Sequence, residues 1–158
     1  MKAQKLIVLM LVLSLLVTAC QTAVEPTAET GNPVDSAVPE VCTTDSFGCA
    51  VFEPGDVVKI GMGAPMTGGD ASYGFDISQG GKIAVQDHGE LHGFTFELLA
   101  EDDGGTAEGG AAVANKFASD PAVVAIAGHI YSGATSAAMP IYEKVGLPML
   151  SPSASLPE

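Results

Sequence analysis

The sequence contains no arginine, and six lysines stand against 19 acidic residues, for a formal net charge of −13 at neutral pH. Clustered cations are what grip a phosphate backbone, so this balance excludes nucleic acid as a partner. Without arginine there is no guanidinium fork to take a carboxylate or phosphate in a bidentate grip. Any anion bound here is held by backbone N–H groups, hydroxyls or lysine. The apolar run from Leu6 to Val17 falls short of the roughly 20 residues that cross a bilayer as a helix. Catalytic and metal signatures are missing too. Gly61-Met62-Gly63 lacks the third glycine of a dinucleotide fingerprint. Ser132 does not sit in the Gly-x-Ser-x-Gly turn of an esterase, and no histidine or acid is placed to serve it as a base. His88 and His92 have no third ligand at a useful spacing, which favours a surface role over zinc. Glu101-Asp102-Asp103 does not fit the calcium-loop spacing and reads as a solvated acidic loop. The sequence therefore predicts no catalytic residues, no metal and no cofactor.

What is present begins with 158 residues at 47% hydrophobic content, enough for about one domain with a real core. Lys2 and Lys5 precede the apolar run, which suits a secretory signal. The run closes on Val17-Thr18-Ala19-Cys20, which resembles the lipobox of bacterial lipoproteins. That resemblance implies a signal peptide over 1–19, cleavage before Cys20, and lipidation of its thiol and new amine. The alternative is an ordinary signal peptide with an incidental cysteine. Acyl chains contribute about 0.8 kcal/mol per buried CH₂ and hold a protein on a membrane with no spanning helix. Loss of Lys2 and Lys5 with the leader takes the formal charge from −13 to −15. Residues 20–56 read as a disordered tether, because QTAVEPTAETGNPVDSAVPE has no aromatic residue and neither helical nor strand period. Its end holds Cys42 and Cys49, which are expected to close a small disulfide loop in an oxidising compartment. The alternative is a metal site, for which two thiols with no nearby histidine are too few ligands.

From residue 57 the pattern becomes regular. VVKIGMG, FTFELLA, AVVAIAG and Leu147–Leu150 read as strands. Residues 73–88, 106–119 and 132–145 read as helices, with Thr106 as an N-cap and Gly146 as a C-cap. The third helix sets Ala134, Ala138, Ile141 and Val145 on one stripe. Strands alternating with helices predict an α/β fold, a parallel sheet with helices on both faces. Ligands in such sheets sit outside the carboxyl ends of the strands, which singles out loops 64–72, 101–105, 129–132 and 151–158. Ser132, read as an N-cap, would offer its hydroxyl and the free N–H groups of a first helical turn to an anion such as a carboxylate. The hydroxyls and carbonyls of Ser151-Pro152-Ser153-Ala154-Ser155 suit an ammonium group.

The stretches VVKIGMGAPMTGGDASYG, FELLAEDDGGTAEGGAAVANKFASD and VVAIAGHIYSGATSAAMPIYEKVGLPMLSPSASLPE resemble, in order, the N-terminal lobe of periplasmic binding proteins of the leucine/isoleucine/valine class. These are the substrate-binding subunits of branched-chain amino acid ABC transporters. The resemblance covers 57–158 and implies a truncated N-terminal lobe of the type I fold, whose second lobe and later strands would lie beyond Glu158. It implies that Ser132, beside Gly133, holds a ligand carboxylate, and that Ser153 and Ser155, flanking Ala154, meet its charged groups through a carbonyl and a hydroxyl. The family often has Ala and Thr where this sequence has Ser153 and Ser155. Tyr73 matches an aromatic position lining the side-chain pocket. The expected protein is a solute receptor anchored by lipid in the periplasm or on the outer cell surface. It would deliver an amino acid to the permease and ATPase subunits of an importer. The alternative is a sensor of an amino acid or amide on the same fold.

Overall fold

The structure, a computed structural model, describes residues 38–156. The expected signal peptide, Cys20, most of the expected tether, Pro157 and Glu158 lie outside the described residues. The elements are α1 (Glu40–Thr44), β1 (Val57–Ala64), a 3₁₀ turn (Gly68–Asp70), α2 (Ala71–His88), β2 (Glu90–Leu91), β3 (Phe94–Asp102), α3 (Ala107–Ala118), β4 (Val123–Ala127), α4 (Ser132–Val145) and β5 (Met149–Leu150).

The sheet runs β2-β3-β1-β4-β5. Strand β1 lies at its centre, parallel to β3 from Val57↔Thr95 to Ala64↔Asp102 and parallel to β4 from Lys59↔Val123 to Gly61↔Ile126. Strand β5 adds in parallel through Ile126↔Met149 and Ala127↔Leu150. Strand β2 is an addition to the expected layout. It pairs antiparallel with β3 through a two-residue turn, His92-Gly93, in which both residues have positive φ, 53° and 86°. Such two-residue hairpins need left-handed backbone at both positions, and His-Gly announces this less clearly than Asn-Gly does.

Helices cover both faces, as neighbouring glycines make plain. A methyl group at Gly61 would meet Phe117 of α3, whereas one at Gly81 of α2 would meet Met62 and Leu98. Gly61 and Met62 are adjacent on β1 and so point to opposite faces. The core between the sheet and α3/α4 consists of Val113, Ala114, Phe117, Val123, Ile126, Ala138 and Tyr142, with Leu99, Ile141, Leu147 and Met149 packed around it. Each large apolar side chain buried there contributes about 1.5–3 kcal/mol.

Helix α4 differs from its expected register in two ways. Its buried stripe is Ala134, Thr135, Ala138 and Tyr142, and Val145 is 42% exposed. The stripe rotates because Ala134 backs directly onto Gly110 of α3 and because the Tyr142 phenol reaches His129. The N-cap is Tyr131, in extended conformation, and Ser132 is the first helical residue. At the other end Gly146 takes the left-handed conformation, φ 72°, as a C-cap should. Thr106 caps α3 by accepting a hydrogen bond from the Gly109 amide at 3.0 Å.

Order begins before β1. Helix α1 opens a turn that Cys42 and Cys49 close as a disulfide, with Cα atoms 5.1 Å apart. Phe47, within that loop, lies against Gly146 at the end of α4. Phe52 meets Phe94 edge-on at 6.3 Å. Lys59 and Asp120 pair at 2.8 Å near the start of β4.

Candidate functional site

The carboxyl ends of β1, β3, β4 and β5 release four loops at one edge of the sheet. Two aspartates organise the first pair. Asp102 accepts hydrogen bonds from the amides of Met66 and Gly104 at 2.7 and 2.8 Å, fastening the loop after β1 to the loop after β3. Its carboxyl is held below the usual range, chiefly by a hydrogen bond from the Thr67 side chain and further by those amides.

Asp103 is not part of a solvated acidic loop. It is 1% exposed and bound on both oxygens, to the Gly105 amide at 2.9 Å and to His129 Nδ1 at 2.7 Å. His129, also fully buried, turns its Nε2 to the Tyr142 hydroxyl at 3.0 Å. A carboxylate only accepts, so Nδ1 carries the proton and donates to Asp103. Burial first, and the nearby Asp103 charge second, push the Tyr142 phenol well above its ordinary value, so Tyr142 keeps its proton. Burying these three polar side chains is tolerable because every side-chain polar atom has a partner.

Ser132 and the 151–156 loop lie side by side. Ser132 Oγ accepts hydrogen bonds from the amides of Ser155 and Leu156 at 3.3 and 3.4 Å. Ser153 Oγ donates to the Ile130 carbonyl at 2.6 Å, and Ser151 Oγ donates to the His129 carbonyl while accepting from the Ala154 amide at 3.0 Å. The first intrahelical bond of α4 runs from the Thr135 amide to the Tyr131 carbonyl, and no side chain caps the helix. The amides of Ser132, Gly133 and Ala134 therefore have no partner within the helix. With both lone pairs of Ser132 Oγ taken by amides, its proton is what remains to offer. Hydroxyl, amides and helix dipole together present donors to an anion.

Tyr73, in the first turn of α2, is 48% exposed. The Tyr131 ring covers Gly105, and its phenol is raised above the ordinary value by partial burial, then by Asp70, with Tyr73 and Asp103 adding to the effect. The structure thus gathers Ser132, Gly133, Ser153, Ala154 and Ser155 at one edge, with Tyr73 and Tyr131 nearby. Sequence reasoning missed the Asp103–His129–Tyr142 network. Its signal was His129 itself, set directly between an apolar strand and Ile130. His88 borders an apolar recess of about 260 Å³ with Ile60, Ala84, Val85, Leu91 and Phe96, at the other end of α2. Among the described residues no three His, Cys, Asp or Glu side chains converge as metal ligands, and no helix is long and apolar enough to cross a membrane.

Residues 57–158 match the family described as periplasmic binding protein. Leu/Ile/Val-binding protein homolog 1 of Brucella abortus is 36% identical over 104 residues, covering 64% of this chain and 28% of that protein. The leucine-, isoleucine-, valine-, threonine- and alanine-binding protein of Pseudomonas aeruginosa is 36% identical over 106 residues, 65% of this chain and 28% of the relative. These matches thus span little more than a quarter of the relatives' own length. Among solved structures, the branched-chain amino acid transporter substrate binding protein of Streptococcus pneumoniae, in complex with isoleucine, superposes with a TM-score of 0.59 at 31% identity, covering 64% of this chain and 30% of that one. A solute binding protein of an ABC transporter from Rhodopseudomonas palustris, in complex with 3,4-dihydroxybenzoic acid, superposes at 0.58 with 28% identity, over 63% and 28% of the two chains.

Proposed function

Because this chain belongs to the periplasmic binding protein family, we propose that its carboxyl edge forms one wall of an amino acid site in an extracytoplasmic receptor serving an ABC importer. The relatives are solute-binding proteins rather than enzymes, and several are named for branched-chain amino acids. On this reading the ligand carboxylate docks on the Ser132 hydroxyl and the amides of the first turn of α4, beside Gly133. The ammonium group meets the Ser153–Ser155 loop, with Ala154 between the two serines, and the ligand side chain lies toward Tyr73. The receptor is held at the membrane by lipid on Cys20, with residues 20–56 as the tether, and hands its ligand to permease and ATPase subunits.

The observation that carries the reading is the Ser132 hydroxyl, whose acceptor positions are filled by Ser155 and Leu156, leaving its proton for an anion. Composition supports it as well. With no arginine in the sequence, an anion needs neutral donors of this kind, and an isolated carboxylate with its own ammonium suits them better than a phosphate. Calorimetric titration with leucine, isoleucine and valine tests the proposal, with 3,4-dihydroxybenzoate as the competing class. Ser132→Ala removes a hydrogen bond to a charged group, worth about 1.5–3 kcal/mol, so amino acid affinity should fall at least tenfold. Unchanged affinity would exclude Ser132 from the site, and tighter binding of the aromatic acid would replace the ligand class.

A further inference from the structure

We infer that His129 is a positioning residue that sets the register of the 151–156 loop against Ser132, an inference that rests on the ligand-site reading above. The side chain is fixed from three directions. Asp103, on the loop after β3, holds Nδ1, and Tyr142, in the last turn of α4, holds Nε2. From below, the ring rests on the bare backbone of Gly63 in β1, where even a methyl group would overlap it. A ring held this way fixes the backbone that carries it. The His129 carbonyl accepts from Thr135 Oγ1 at 3.2 Å and from the Ser151 hydroxyl, and the next carbonyl, Ile130, accepts from Ser153. Ser151 in turn receives the Ala154 amide, and the following amides reach Ser132 Oγ.

The chain of bonds thus runs from a buried acid on one loop, through the imidazole and two carbonyls, to the loop that meets the proposed ammonium group. No member of the buried trio itself faces the open edge. A network that merely stabilised the core would have no need to end on two consecutive carbonyls that both serve the 151–156 loop. Its purpose at this position is to let two loops, separated by the whole of α4, arrive with their hydroxyls in fixed relation.

Two variants of the full chain test this without touching any group assigned to ligand contact. Gly63→Ala lifts the ring from its support and deletes no hydrogen-bonding group. Tyr142→Phe deletes one partner of the ring and keeps the packing, and it serves if Gly63→Ala does not fold. Backbone ¹⁵N order parameters of Ala154 and Ser155 are expected to fall from about 0.85 to below about 0.6, while those of Gly61 and Ile126 in the sheet stay near about 0.85. Leucine affinity is expected to fall about tenfold, as for one lost hydrogen bond. Loop order parameters that stay high in a folded variant, or that drop together with those of the sheet, overturn the inference. If Ser132→Ala weakens leucine binding and neither of these variants does, positioning fails and the ligand site stands. If the loop loosens as expected while Ser132→Ala leaves leucine affinity unchanged, His129 still positions the loop and the ligand reading fails.

Discussion

At the scale of single residues, Asp103, His129 and Tyr142 show how far a buried polar group depends on its partners. The Tyr142 phenol is raised above its ordinary value of 10.0 by burial and by the Asp103 charge. A group whose proton is held more tightly in the folded state contributes stability below its unfolded value and loses that contribution as pH rises through the folded one. Stability is therefore expected to decline above about pH 10, where the unfolded chain gives up the phenolic proton and the native chain keeps it. Chemical denaturation at a series of alkaline pH values measures the decline, and Tyr142→Phe should remove this part of it. Ser132 was legible in the sequence as a hydroxyl at a helix start after a buried strand. That it lies one residue inside the helix, and that amides from 23 and 24 residues on fill its lone pairs, is a matter of loop packing that no local pattern encodes. The same holds for Asp103, since three acidic residues in a row look alike until the fold turns one of them inward.

At the scale of elements, the strands and helices around β1, β3 and β4 could be read directly, because unbroken apolar runs alternate with helical spacing and the caps at Thr106 and Gly146 mark the boundaries. The rotation of the α4 stripe could not, because Ile141 and Tyr142 are both apolar enough to face inward and the choice is made by what each can touch. The α3–α4 contact depends on small residues. A methyl group at Gly110 would approach the Ala134 carbonyl oxygen to 2.5 Å and its Cα to 2.7 Å. Gly110→Ala therefore forces the helices apart despite the better helix propensity of alanine, and overpacking of this kind costs about 1–3 kcal/mol. The midpoint of urea unfolding should fall accordingly. A gain in stability would show that α4 can shift without cost.

At the scale of the whole molecule, charge and covalent features matter more than packing. Lipid on Cys20 is proposed to hold the protein at a membrane, since one short apolar leader cannot. Cys20→Ser should abolish incorporation of labelled palmitate and move the protein from the membrane fraction to the soluble fraction. Retention in the membrane fraction would mean that something other than acylation anchors it. The disulfide between Cys42 and Cys49 follows from setting Cys20 aside for lipid and from an oxidising compartment, but its docking does not, because nothing in VCTTDSFGC says where Phe47 will rest. It rests on Gly146, at the end of α4 remote from Ser132. On the proposed anchoring, a pull entering at Val38 would first meet the Cys42–Cys49 disulfide and the Phe47 ring, at the pole of the sheet opposite the four loops.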